Sequence, residues 1–205
     1  MHTFPPILMM GLFVVFTAFV LVYAQKRRDE LAAAWEDFAQ RRGYTFRPSE
    51  SSWWATETAR VTGTIDNVTF ELDTYVVSSG KSSTTYTRVR ARAIDPVRGF
   101  IRVYNEHVFS GLGKALGFQD VELGDPEFDD KFTVKSDRDE DARALLDAPT
   151  RQALTAFPRS LSFEYSAGEV DVHWVAMETE HAVLDAASRI AVAACRWRRE
   201  PEIYR

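Results

Sequence analysis

The residues of this chain whose types and spacing best suit chemistry are Glu164, Asp171 and His173. They lie in two segments, 161–166 and 169–175, that alternate apolar and polar residues on either side of Gly168, a pattern typical of a β-hairpin. In the predicted register Glu164 lies opposite Asp171, and His173 follows on the same outer face. Facing carboxylates repel, which would raise the pKa of one of them, and a metal ion or a proton could relieve this. The three residues are therefore candidates for a metal or acid/base site, against the alternative of two ordinary acids on a solvated strand.

Three other patterns come near known ligand-binding motifs, and each departs from its motif at a required position. The Gly-Lys-Ser of 80–82 ends like a P-loop, but the leading glycine is missing and a strand is predicted after it instead of a helix. The glycines of 111–117 place the third glycine one residue too late for a dinucleotide fingerprint. The alternating aspartates of 137–141 lack the later glycine and glutamate of an EF-hand. The sequence therefore predicts no cofactor, and a hairpin turn at Gly80-Lys81.

The elements around that turn are predicted as an antiparallel β-meander with two-residue turns at 66–67 and 80–81. These turns fix the pairing of three strands, because each one sets which residues lie opposite each other. The predicted inner-face pairs are Gly63 with Phe70, Val61 with Leu72, and Leu72 with Val89; the outer-face pairs are Glu71 with Arg90, Asp73 with Arg88, and Tyr75 with Tyr86. A fourth strand is predicted at 100–106, after the turn that follows the third.

The second half of the chain is predicted as a strand (131–136), two helices, the 161–175 hairpin and a last helix. The first two helices cover 137–147 and 149–157, and the last runs from about residue 180 to residue 199. Strands and helices grouped in blocks favour an α+β fold over a parallel doubly wound sheet.

An apolar segment dominates the start of the chain, where Ile7–Ala24 has 18 consecutive uncharged residues. As a helix it would be about 27 Å long, close to the hydrocarbon thickness of a bilayer. A cleaved signal peptide is the alternative. The basic residues Lys26, Arg27 and Arg28 follow directly, so the positive-inside rule predicts a single-pass protein of the bacterial inner membrane with its N-terminus outside and its C-terminal part cytoplasmic. The lone cysteine, Cys195, fits a reducing compartment.

The predicted organisation is a transmembrane anchor (1–25), a juxtamembrane helix (26–46) and a cytosolic α+β domain (47–205) with a possible seam near 108–125. The juxtamembrane helix is indicated by an apolar stripe at helical spacing, and Gly43 stands where a helix usually ends. The residues of the stripe are Leu31, Ala34, Trp35, Phe38 and Ala39.

The partners are predicted from charge. A net charge of −5 gives no basic field of the kind that favours nucleic acid. Basic residues near both ends of the domain could instead meet anionic lipid, namely Lys26, Arg27, Arg28, Arg196, Arg198 and Arg199. The bilayer and an unidentified membrane or cytosolic protein are therefore the expected partners.

One resemblance rests on the segment 108–157. Its block FSGLGKALG, its Pro126-Glu127-Phe128 step, its F-x-V-x-S strand and its D-A-R-x-L-L helix resemble the C-terminal half of the bacterial membrane-protein family known as the domain of unknown function number 3137. The resemblance implies a bacterial membrane protein and supplies no catalytic residues. Together with polar patterns that caps, turns and cross-strand pairs explain, it favours a non-enzymatic binding or scaffolding domain. A metal-dependent hydrolase using Glu164, Asp171 and His173, and an anionic-lipid surface module, are the alternatives.

Overall fold

The structure is a computed structural model that describes residues 6–51, 56–80, 82–93, 96, 98–105 and 119–197. It has five described helices and eleven described strands. The helices are α1 (Pro6–Arg42), α2 (Pro126–Lys131), α3 (Asp139–Leu145), α4 (Ala148–Thr155) and α5 (His181–Cys195). The strands are β1 (Thr45–Arg47), β2 (Glu50–Ser51), β3 (Thr56–Glu57), β4 (Arg60–Ile65), β5 (Val68–Ser79), β6 (Ser82–Arg92), β7 (Phe100–Tyr104), β8 (Gln119–Asp120), β9 (Thr133–Ser136), β10 (Leu161–Ser166) and β11 (Glu169–Val175).

Nine of these strands form one antiparallel sheet in the order β1-β4-β5-β6-β11-β10-β7-β9-β8, while β2 and β3 pair with each other. The α+β prediction is thus confirmed in its antiparallel sheet. The fourth predicted strand is present as β7, but it does not pair with β6, because the β10–β11 hairpin pairs with β6 on one side and with β7 on the other. The two halves of the chain therefore share one sheet.

The predicted turns are confirmed, and with them the registers. Asp66 and Asn67 both have positive φ, 49° and 66°, as a two-residue type I′ turn requires. Gly80 has φ +60°, which suits the first position of a type II′ turn. All of the predicted pairs are present: Gly63 with Phe70, Val61 with Leu72, Leu72 with Val89, Glu71 with Arg90, Asp73 with Arg88, Tyr75 with Tyr86, and Glu164 with Asp171.

One face of the sheet forms the core. A single row of apolar side chains crosses it from β4 to β9, and each member is at most 2% exposed: Val61, Leu72, Val89, Val172, Phe163, Val103 and Val134. Burying each such side chain contributes about 1.5–3 kcal/mol. The helix α5 packs on β5, β6 and β11, and α1 packs on β1 and β4. The neighbouring residue of each strand points to the opposite face, and that face carries the polar side chains described below.

The second half of α1 packs on the domain along the predicted stripe. Leu31, Trp35, Phe38 and Ala39 are buried, and the helix ends before Gly43, whose φ is +70°. The helix is continuous from Pro6 to Arg42, so the predicted anchor and the predicted juxtamembrane helix are one element.

The first half of α1 has a different environment, because its described apolar side chains are solvent-exposed. They are Met10, Phe13, Val15, Phe16, Phe19, Val20, Leu21, Val22 and Tyr23, each at least 45% exposed. Within the described residues, no helix is at once long enough and apolar enough to cross a membrane.

Candidate functional site

The open face of the sheet carries a row of charged residues beside the apolar row of the core. Consecutive strand pairings place its members side by side across seven strands: Glu71, Arg90, Asp171, Glu164, Arg102, Lys135 and Asp120. We call this set the charged row. Alternation of side chains along each strand produces it, since every member except Asp120 lies one residue away from a member of the core row.

Most of the charged row is already joined in ion pairs. Arg90 Nη2 lies 2.7 Å from Glu71 Oε1, and Lys135 Nζ lies 2.6 Å from Asp120 Oδ1. The pKa of Lys135 is raised, and the largest cause is the hydrogen bond that it donates to Asp120. Opposite charges that face each other across a ladder contribute roughly 0.2–1 kcal/mol per pair. The row therefore stabilises the sheet through its own charges.

The structure separates the predicted chemical site into two pairs. Glu164 and Asp171 are cross-strand neighbours, as predicted. The guanidinium of Arg102 donates to Glu164, with Nε 2.8 Å from Oε2, whereas Asp171 Oδ1 lies 2.7 Å from His173 Nδ1. Among the described residues, no group of three or more His, Cys, Asp or Glu side chains is arranged to hold a metal ion. Arg102 was not part of the predicted site. It reaches Glu164 because β7 pairs with β10.

A compact ionic and aromatic cluster lies next to the charged row, on β5, β6 and β11. Asp73 is 3% exposed and accepts two hydrogen bonds from Arg88, at 2.9 and 2.7 Å, and a third from Arg90 at 3.1 Å. The pKa of Arg88 is raised, and the largest cause is the hydrogen bond that it donates to Asp73. Such a paired, bidentate geometry is the strong form of an ion pair.

Aromatic rings complete this cluster. The Tyr75 and Tyr86 rings stack with centroids 5.1 Å apart, and the His173 ring meets both edgewise at 5.9 and 5.8 Å. Arg88 lies over the Tyr75 ring at 4.8 Å. Burial and then the charge of Asp171 raise the Tyr75 pKa well above its usual value. Tyr75 therefore stays protonated at neutral pH, so it is not a base here.

Sequence reasoning missed Glu178, a buried carboxylate between β11 and α5. Its Oε2 accepts from Arg159 Nε at 3.0 Å and from the Trp174 indole at 3.3 Å. Its Oε1 accepts from the backbone N–H groups of Thr179 and Glu180, at 3.1 and 3.0 Å. Its backbone carbonyl accepts from the Trp35 indole at 2.8 Å. The charge at the start of α5 suits the positive helix end, but a single Glu in a loop gives no sequence signal of this role.

The predicted lipid-proximal residues lie at opposite ends of the domain. Along α1, Trp35 contacts Glu178 and Arg42 contacts Asp185, so α1 and α5 advance in the same direction. Lys26, which lies before Trp35, is therefore at one end, and Arg196, which caps the C-terminus of α5, is at the other. Lys26 and Arg27 pair with Glu30, Arg196 pairs with Asp66 at 2.7 Å, and Arg198 and Arg199 lie outside the described residues.

Two grooves on the described surface could serve as binding sites. Between α4 and α5 lies a mainly apolar groove of about 400 Å³, whose lining includes Phe157, Ile190, Arg189 and several alanines. A depression of about 300 Å³ beside the charged row is lined by Glu71, Arg90 and Glu169. Neither lining includes Glu164, Asp171 or His173. The glycine-rich motif of 111–117 lies outside the described residues.

Comparison with known proteins gives a fold likeness. No family model and no curated protein matches the chain, so the resemblance of residues 108–157 to the family named above stays a prediction. The chain is similar to the crystal structure of the mycobacterial trehalose monomycolate transport factor A, TtfA, with a TM-score of 0.57 and 10% identity over 80% of this chain and 92% of that chain. At this identity the similarity shows a shared fold alone.

Proposed function

We propose that this protein is a single-pass protein of the bacterial inner membrane, and that its cytosolic α+β domain is a non-enzymatic binding or scaffolding domain held at the membrane surface. The first half of α1 would be the anchor. The positive charges at Lys26, Arg27 and Arg28, directly after the apolar run, support a cytosolic position for the domain.

The observation that carries the anchor is the exposure of apolar side chains on every side of α1. Phe13, Phe16 and Phe19 are each at least 64% exposed, although burial of one phenylalanine contributes about 1.5–3 kcal/mol. A helix that is apolar on all sides is normally buried in a protein core or in a bilayer. The run Ile7–Ala24 as a whole has 18 consecutive uncharged residues.

The state of the polar groups supports a binding role over catalysis. Glu164 already faces Arg102, and Asp171 already faces His173, so each carboxylate has a partner within the sheet. A metal-dependent hydrolase would need further ligands beside these pairs, and among the described residues no group of three or more His, Cys, Asp or Glu side chains could hold a metal ion.

The anchor is tested by placing charges near the centre of the apolar run. We expect the full chain to stay in the membrane pellet after an alkaline carbonate wash. The double variant Phe13→Arg, Phe16→Arg should move to the supernatant, because each arginine at a helix centre costs about 2.5–3.5 kcal/mol on insertion. The control, Thr64→Arg with Thr69→Arg, adds the same charges at exposed strand positions and should stay in the pellet. Release of both variants, or of neither, would count against the anchor.

The binding role is tested separately from the anchor. We expect zinc and manganese titrations by calorimetry to show no binding heat, and chemical crosslinking in native membranes to capture a partner protein at a defined stoichiometry. A metal-binding heat that disappears in His173→Ala would favour the hydrolase instead. Replacing Glu180, an exposed acid away from that pair, serves as the matched control.

A further inference from the structure

The hairpin of β5 and β6 extends beyond the rest of the sheet. β5 pairs with β4 only over Val68–Leu72, and β6 pairs with β11 only over Tyr86–Arg92. Beyond those limits, residues 76–79 and 82–85 pair only with each other among the described strands. We call these eight residues the β5–β6 arm.

The arm points toward the exposed half of α1. Trp35 bonds the carbonyl of Glu178, and the amide of Glu178 bonds Thr87, which is paired with Thr74. Trp35 and Thr74 therefore lie at about the same height along the axis of α1. At a second level, the Tyr44 ring meets the Phe70 ring, with centroids 5.1 Å apart.

These two levels fix the relative direction of α1 and β5. α1 advances about 10.5 Å from Trp35 to its last residue, Arg42, and Tyr44 follows two residues later. Four strand residues separate Thr74 from Phe70, about 13.5 Å along the strand. The helix and the strand thus run antiparallel over similar distances, so positions beyond Thr74 can be matched to positions before Trp35.

By this matching the arm reaches the end of the apolar run. Val77 lies about 10 Å beyond Thr74 and Gly80 about 20 Å beyond it. On α1 these distances correspond to about seven and thirteen residues before Trp35, near Arg28 and Val22. If α1 spans the bilayer as proposed above, the arm lies at the height of the lipid headgroups.

The chemistry of the arm suits that position. Val76 and Val77 are 58% and 48% exposed, and the other six residues of the arm are Ser or Thr, so the arm carries no formal charge. No Asp or Glu occurs between residue 73 and residue 95, in a protein with a net charge of −5. The cytoplasmic leaflet is anionic and repels carboxylates. The stacked tyrosines at the base of the arm are residues favoured at membrane interfaces.

We infer that the β5–β6 arm is a second membrane contact, which lies in the headgroup layer of the bilayer that α1 spans, with Val77 near the level of Arg28 and the tip of the arm near the end of the apolar run. The inference rests on the proposed anchor. It replaces Arg196 as the lipid contact of the domain, since Arg196 lies at the opposite end.

The test measures the depth of single labels on the full chain. The chain, with Cys195→Ala, is placed one copy per nanodisc in phosphatidylethanolamine and phosphatidylglycerol that contains a lipid with a nitroxide on its headgroup. A fluorophore is attached to Val77→Cys on the arm, to Thr64→Cys at the far end of the sheet, or to Tyr23→Cys on α1. All three positions are exposed, so the labels leave the core intact.

We expect the Val77→Cys label to be quenched at least threefold more than the Thr64→Cys label, and to a degree similar to the Tyr23→Cys label. Quenching at Tyr23→Cys with none at Val77→Cys would overturn the arm contact and leave the anchor in place. Absence of quenching at Tyr23→Cys would overturn the anchor itself. A blue shift without quenching at Val77→Cys, or crosslinking between two arms in larger vesicles with no headgroup quenching, would show a protein on the arm and overturn the lipid contact.

Discussion

At the scale of single residues, the buried charge of this protein's sheet is paired with charges of opposite sign. Asp73 is almost fully buried yet accepts three hydrogen bonds from two arginines. These hydrogen bonds offset the cost of burying the charge of the carboxylate. Removing that charge would leave the two arginines without their partner.

Asp73→Asn should therefore be strongly destabilising. The variant keeps the shape of the side chain but loses its charge and directs an amide N–H₂ toward an arginine. We expect the free energy of unfolding to fall by about 2–4 kcal/mol, measured by urea denaturation of the full chain in mild detergent. Glu169→Gln is the control, because its partner Arg92 is 79% exposed and exposed pairs contribute about 0–1 kcal/mol. Similar losses in both variants would contradict the expectation.

Cys195 gives a prediction on pH. Burial raises the pKa of its thiol to about 12, whereas an unfolded cysteine ionises near pH 8.5, a rough reference value. The unfolded state therefore releases a proton first, and the stability linked to this thiol falls as pH rises through the window between those two values. We expect the unfolding free energy of the wild type to fall faster from about pH 8.5 upward than that of Cys195→Ala, in which the tyrosine contributions remain. Parallel curves would refute the role of the thiol.

At the scale of elements, two-residue turns explain why so much of the sheet was predictable. A turn such as 66–67 fixes every pair of its hairpin, and the inner and outer faces then follow by alternation. The position of β7 was not predictable in the same way, because pairing between distant strands leaves no local signal in the sequence. Glu164 therefore looked free for chemistry until β7 placed Arg102 beside it.

Gly63 tests how tightly the segment that follows α1 packs on the sheet. A Cβ added there would lie 2.6 Å from both the Phe70 ring and the Tyr44 ring, closer than carbon atoms can approach. We expect Gly63→Ala to lower the unfolding free energy by about 3 kcal/mol, the upper range for an overpacked core. Gly80→Ala is the matched control: its Cβ would meet nothing within 4 Å, so only the positive φ costs energy, about 1 kcal/mol. The opposite order would show that backbone strain outweighs packing.

Glu178 joins several elements, and its loss should loosen all of them together. We expect Glu178→Ala to lower the unfolding free energy by about 3–5 kcal/mol, because Arg159 and two backbone N–H groups lose their acceptor. In the control, Glu180→Ala, the removed carboxylate is 58% exposed and pairs with Arg159 at the surface, so the loss should stay below about 1 kcal/mol. Thermal unfolding followed by circular dichroism distinguishes the two.

At the scale of the whole molecule, contacts along α1 set the long axis. The antiparallel alignment of α1 and β5 places Lys26 on one side of the Trp35 level and Thr64 on the other. With about 14 Å on the helix side and about 17 Å on the strand side, the two positions should lie about 30 Å apart along that axis.

Spin-label distances check this arrangement. In the Cys195→Ala background, we expect the pair Lys26→Cys and Thr64→Cys to give a distance of about 30 Å or more. The pair Lys26→Cys and Val77→Cys should give a markedly shorter distance, because those positions lie at nearly the same level. A shorter distance to Thr64 than to Val77 would mean that α1 runs the other way along the sheet.

The unbroken α1 also has a mechanical consequence. No Gly or Pro occurs between residue 11 and residue 43, so the helix has none of the residues at which kinks most often form, and its docked half is fixed by Trp35 and Phe38. The exposed and docked halves of α1 therefore rotate together as one rigid rod. A force applied to the domain would tilt the exposed half, and a tilt of the exposed half would rotate the open face of the sheet by the same angle.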